Sequence, residues 1–199
     1  EKMGNFLVAS EIRPGLSEHH IGFPGSLTVY IDTFVRMLED YCESLAASGF
    51  KKIIIFSSHG GNSDTIVTYA PRLTRKLNHK AEVYAIPTDI FFNTITPYLD
   101  KKGISSAKGG SHSGLSETSL MLYLKPEMVR MDLAVKGRSD EEAKPENLKK
   151  IRLTSFTRGI KTQSENGILG DPIGATGDIG REMFDLLIEA FSKEIRLYL

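Results

Sequence analysis

Two clusters in this chain carry side chains suited to breaking a carbon–nitrogen bond. The first is Ser57-Ser58-His59-Gly60-Gly61-Asn62. Two glycines beside an imidazole keep Cβ atoms away and let backbone N–H groups approach a ligand or an oxyanion. Asn62 adds an amide near a helix start. The second cluster is His112-Ser113-Gly114-Leu115-Ser116-Glu117-Thr118-Ser119, in which His112 and Glu117 flank a glycine turn. Amide hydrolysis needs one group to position or deprotonate water and another to protonate the leaving nitrogen, and a His with a Glu supplies both. A divalent metal can do the rest by acidifying water and polarising the carbonyl.

Each cluster also has a plainer reading. The glycine run could cradle a phosphate, but it has no Gly-Lys-Ser/Thr ending and no Gly-x-Gly-x-x-Gly spacing. The second cluster could be an ordinary helix start, with Ser116 as cap and Glu117 favoured by the dipole of the first turn. Glu18-His19-His20 contains two adjacent histidines. Neighbours in sequence rarely point at one ion, so one of the two is expected to line a pocket rather than both to ligate. The run Gly167-Ile168-Leu169-Gly170-Asp171-Pro172 followed by Gly174 and Gly177 reads as turn chemistry before a last helix.

The elements that must position these groups alternate. Phe6-Leu7-Val8-Ala9 reads as a short buried strand, and residues 10–25 as a loop. Leu27, Tyr30, Phe34, Leu38, Tyr41 and Leu45 recur at helical spacing, with Cys42 on the same apolar stripe and Gly49 placed to end the helix. Residues 51–56 form a continuous apolar, β-branched run, as a covered parallel strand would. Ser63 or Asp64 is the expected cap of a helix carrying Ile66, Tyr69, Leu73 and Leu77. Residues 81–86 form another strand, stopped by Pro87. Strand, helix, strand, helix, strand is the signature of an α/β fold, here a three-layer sandwich with a mostly parallel central sheet. Residues 100–114 read as a loop, residues 117–124 as a helix and residues 136–150 as a charged, exposed excursion. Residues 178–199 are amphipathic. His59 then stands beyond the carboxyl end of a strand, where open α/β sheets gather their ligands.

The 199 residues fit one domain with a real core. Lys plus Arg number 25 and Asp plus Glu number 25, so no net charge draws the chain to nucleic acid or an anionic membrane. No apolar run approaches the roughly 20 residues of a membrane span. The start shows no signal-peptide pattern, and the single cysteine excludes an internal disulfide. A reducing cytoplasm is the expected compartment.

Taken in order, the motifs resemble the creatininase family of metal-dependent amidohydrolases. They are Gly15-Leu16-Ser17-Glu18-His19-His20, Phe23-Pro24-Gly25-Ser26, Ser57 to Asn62, His112 to Ser119, and Gly170-Asp171-Pro172 with Ala175-Thr176. The resemblance implies a creatininase-like fold and a metal role for His59. It assigns acid–base or substrate contact to His112 and an active-centre carboxylate, touching metal, to Glu117. Gly60, Gly61 and Asn62 would line the pocket with His20. It also implies divalent ions, zinc with manganese or iron, and a homo-oligomer, typically a hexamer. Ser57-Ser58 stands where the family usually has Asn-Gly. The family's N-terminal strand and loop, with Glu-x-His and Asp ligands, are expected to be missing from this chain, and the remaining one His and one Glu are fewer donors than zinc's usual four. The expected activity is hydrolysis of a small non-peptide amide, cyclic amide or formamide. The competing expectation is an inactive binding or structural module on the same fold.

Overall fold

The computed structural model describes residues 6–138 and 145–198. They group into two compact units. One holds the residues up to Ser17, Leu27–Ile90 and the chain from Phe191 onward. The other holds Glu18–Ser26 and Phe91–Ala190.

The first unit is built on a strand–helix–strand core. Helix α1 (Ile31–Ala47) buries Phe34, Leu38, Cys42 and Ala46, one residue per turn on a single face. Sequence periodicity starts this helix too early: Leu27 and Tyr30 lie outside it, and Tyr30 is 84% exposed. Gly49 ends it as expected. Its φ of +95° suits glycine, its N–H donates to Ala46 O, and the Phe50 N–H reaches back to Leu45 O. That pair of bonds is a Schellman stop. Strand β1 (Lys52–Phe56) and strand β2 (Glu82–Ile86) then pair in parallel, Ile53 opposite Val83 and Ile55 opposite Ala85. Helix α2 (Gly60–Lys76) links them and buries Ile66, Ala70 and Leu73 against the α1 stripe. Burying each such large apolar side chain contributes about 1.5–3 kcal/mol. The same burial pushes the Cys42 thiol up to about 11, so this cysteine is a packing residue with little thiolate character.

One ionised group is buried in this core. Glu39 accepts hydrogen bonds from Tyr69 Oη at 2.7 Å and from Arg36 at 3.1 Å, and pairs with Lys76 Nζ at 2.7 Å. The lysine and tyrosine hold the Glu39 carboxyl below the usual carboxylate range, and Glu39 in turn raises both Tyr69 and Lys76.

The expected strand at Phe6-Leu7-Val8-Ala9 does not form. Among the described residues no neighbour offers it a ladder, and Val8 is 98% exposed. An apolar run becomes a strand only where its backbone groups find partners.

The second unit is helical. It contains most of α3 (Asp89–Lys101), the short α4 (Ser106–Gly109), α5 (Leu115–Leu124), α6 (Pro145–Arg158) and the bulk of α7 (Gly177–Arg196). Ile95, Leu99, Leu115, Ile160, Met183 and Leu187 are buried. Helix α4 falls inside the stretch expected to be all loop. Of the expected exposed excursion, residues 139–144 lie outside the described residues, and the chain is helical again from Pro145. A buried serine and a glycine bring α5 and α7 together. Ser119 Oγ accepts from Thr176 N at 3.2 Å, and a Cβ at Gly180 would run into Ser119 O. No helix among the described residues is long and apolar enough to cross a membrane.

Candidate active site

The candidate residues divide between the two units. His59, Gly60, Gly61 and Asn62 belong to the first, and His20, His112 and Glu117 to the second.

In the first unit, His59 follows the end of β1 by three residues. It is itself the N-cap of α2, with extended dihedrals of −113° and 120°. Gly60, Gly61 and Asn62 are therefore the first helical turn rather than a loop, and Ser63 and Asp64 are not the cap. The capping comes from outside the helix: Ser57 Oγ accepts from His59 N at 3.0 Å. The first N–H groups of a helix have no partner within it, so Gly60 and Gly61 present amide donors beside the imidazole. His59 Nε2 lies 3.0 Å from Leu16 O and 3.2 Å from Ser17 Oγ. A carbonyl oxygen only accepts, so Nε2 carries the hydrogen. In the neutral ring the basic lone pair then sits on Nδ1.

Asn62 fixes the segment that makes this bond. Its Oδ1 accepts from Leu16 N at 2.8 Å and its Nδ2 donates to Ser57 Oγ at 3.1 Å. Both ends of the amide are thus engaged by the chain. Ser17 has no assigned role in the sequence reading, although it lies within the Gly15-Leu16-Ser17 motif, and it too touches the His59 ring.

In the second unit, His112 is paired to Leu169 as an antiparallel bridge, with Leu169 N donating to His112 O at 2.8 Å. The bridge sets the imidazole against Gly167, whose carbonyl accepts from Nδ1 at 2.6 Å. Here Nδ1 carries the hydrogen and Nε2 is the basic atom. Three glycines let these loops close up: a Cβ on Gly110 would stand under 3.0 Å from Leu169 O and the Gly170 Cα. Gly114, not Ser116, is the N-cap of α5, and Ser116 is buried in the first turn. Glu117 occupies that turn, is exposed, and its carboxylate accepts from Ser113 N. His112 and Glu117 therefore sit on either side of Gly114, as their spacing suggests. His20, in the 3-10 turn Glu18–His20, places its ring centroid 4.9 Å from that of His112. The Gly170-Asp171-Pro172 run is a turn, with Asp171 Oδ1 accepting from Ile173 N at 2.9 Å.

The family model for creatininase, described as creatinine amidohydrolase, matches residues 1–195. The chain belongs to the creatininase family. It is similar to the mycofactocin precursor peptide peptidase of Mycolicibacterium smegmatis, 28% identical over 190 residues, 96% of this chain and 66% of the relative. The peptidase of the same name from Mycobacterium ulcerans is 28% identical over 185 residues, 92% of this chain and 63% of the relative. The chain thus spans a little under two thirds of the length of curated relatives it matches. A solved creatinine amidohydrolase (creatininase) aligns with a TM-score of 0.70 at 19% identity, covering 92% of this chain and 72% of the other. A structure titled creatininase Mn gives 0.70 at 20% identity, covering 88% and 67%. A mutant creatininase of Zn–Zn type gives 0.67 at 20%, covering 93% and 72%. The expected creatininase-like fold is therefore the one this family member has.

Proposed function

We propose that this creatininase-family chain serves a divalent-metal-dependent amidohydrolase that cleaves an amide carbon–nitrogen bond. One observation carries the reading. His59 and His112 each donate one ring N–H to a backbone carbonyl, Leu16 O and Gly167 O, which orients the ring and leaves the lone pair on the other nitrogen. Histidines that ligate metal or trade protons are held in this way.

His59 Nδ1 fits a borderline metal such as zinc or manganese, and creatininases of Zn–Zn and Mn type among the structural relatives support that choice. When bound, such an ion would acidify water and polarise the scissile carbonyl. Glu117 is the carboxylate that orients water, and His112 Nε2, which holds the lone pair, takes the proton that the attacking water gives up and passes it to the departing nitrogen. The Gly60 and Gly61 amides are donors for a developing oxyanion. The substrate is proposed as a small amide, with peptide amides included because curated relatives are named as peptide peptidases.

The test is metal analysis and amide hydrolysis on the full-length protein, its His59→Ala variant and its His112→Gln variant. Wild type should retain zinc or manganese. His59→Ala should lose metal and activity together, and His112→Gln should keep metal while losing activity. A metal-free wild type whose rate matches His59→Ala would overturn the reading.

A further inference from the structure

We infer that Asn166 is a positioning residue that fixes the tautomer of His112, acting through the carbonyl of Gly167. The inference rests on the acid–base role proposed above for His112. Two geometric facts support it, and both lie within the second unit.

First, the carbonyl that receives the His112 Nδ1–H is presented by a turn with one side-chain organiser. Asn166 Oδ1 accepts twice, from Ser164 Oγ at 2.7 Å and from Ile168 N at 3.1 Å. These two bonds bracket Gly167. The Gly167 N–H closes the turn onto Ser164 O at 3.3 Å, and its φ of +81° is a backbone state that glycine adopts at little cost. Without Asn166 the turn loses both of its side-chain bonds.

Second, this turn and His112 are held in register by backbone bonds that do not involve Asn166. Ser111 N and His112 N both donate to Leu169 O, and Leu169 N donates to His112 O. The backbone of His112 therefore stays in place when Asn166 is altered. What changes is where the Gly167 carbonyl points, and so which ring nitrogen is driven to carry hydrogen. A ring with its hydrogen already on Nε2 has its lone pair on Nδ1, so Nε2 cannot take up the proton that it must relay. Asn166 touches none of the reacting groups, and its own side chain is exposed, so replacing it removes no core packing.

Both Asn166 bonds use an oxygen acceptor. Asn166→Asp keeps that acceptor, whereas Asn166→Ala removes it. Imidazole nitrogen NMR on the full-length protein reads the outcome without any assay of activity. In wild type and Asn166→Asp the His112 ring should show well-separated nitrogen shifts, with hydrogen on Nδ1. In Asn166→Ala the two shifts should move toward each other as the Nε2–H form is populated. Amide hydrolysis should then show kcat falling about tenfold in Asn166→Ala with KM unchanged, and recovering in Asn166→Asp. An Asn166→Ala protein whose His112 shifts match wild type overturns the inference. Tautomer change with unaltered hydrolysis would leave the positioning role in place and count instead against the proton-transfer role of His112.

Discussion

The side-chain amide of Asn62 fills the space where residue 15 would carry a Cβ. Built on Gly15, that carbon would stand 2.9 Å from both Asn62 Nδ2 and Oδ1. The glycine of the Gly15-Leu16-Ser17 motif is thus an opening for the amide that ties Leu16 to the start of α2. Leu16 O, the carbonyl of the residue so tied, orients His59. Gly15→Ala should push the amide aside and destabilise the protein by about 1–3 kcal/mol, as overpacking of a tight site does. Urea unfolding measures it, and an unchanged midpoint would refute this account of the glycine.

Asn62 itself makes two bonds that no other side chain replaces. Asn62→Ala leaves the Leu16 N–H without its partner and should cost about 1–3 kcal/mol. Metal affinity should fall with it, since the Leu16 carbonyl then no longer aims the His59 ring. Calorimetric metal titration of the folded variant tests the second half. Wild-type affinity would show that Leu16 is held by other means.

The Glu39 cluster sets a pH window for the core. The folded Glu39 carboxyl is held below its ordinary value of 4.5, so its stabilisation is full above that value and disappears as pH falls through the folded value. Tyr69 and Lys76 are raised above 10.0 and 10.5, so their share is full below those values and is lost as pH climbs through the folded ones. The gap in urea midpoint between wild type and Glu39→Gln should be wide near neutrality and narrow as the pH is taken down through the folded carboxyl's value, below 4.5. A gap independent of pH would mean that the carboxylate charge contributes nothing.

Gly180 lets α7 lie directly on the backbone of α5. Gly180→Ala would drive its methyl into Ser119 O, and Ser119 is fully buried and immovable without shifting the helix. The expected loss is about 1–3 kcal/mol despite the better helix propensity of alanine. Thermal unfolding showing a gain would place the two helices farther apart than described.

The strands and stripes were legible because their signals are local. The β-branched run at residues 52–56 and the four-residue spacing of Phe34, Leu38 and Cys42 need no distant information. Helix starts differ from the sequence expectation for a specific reason. Ser63 and Ser116 have the right chemistry for caps, but His59 and Gly114 take those positions in extended conformations, with Ser57 accepting from His59 N and Glu117 from Ser113 N just ahead of each helix. The strand at Phe6 failed because pairing is not a property of the segment alone. At the site, residue types could be chosen from the motifs, whereas ring orientation could not. His59 depends on a carbonyl 43 residues away and His112 on one 55 residues away.

Gly60 has open space where a methyl would go, and it lies in the first turn of a helix that alanine would favour by up to about 1 kcal/mol. Nothing in the packing requires glycine there. A search for heat-tolerant variants should therefore select Gly60→Ala readily, and under the amide-hydrolase role proposed above those variants should turn over more slowly, because the cleared volume would take the substrate beside His59.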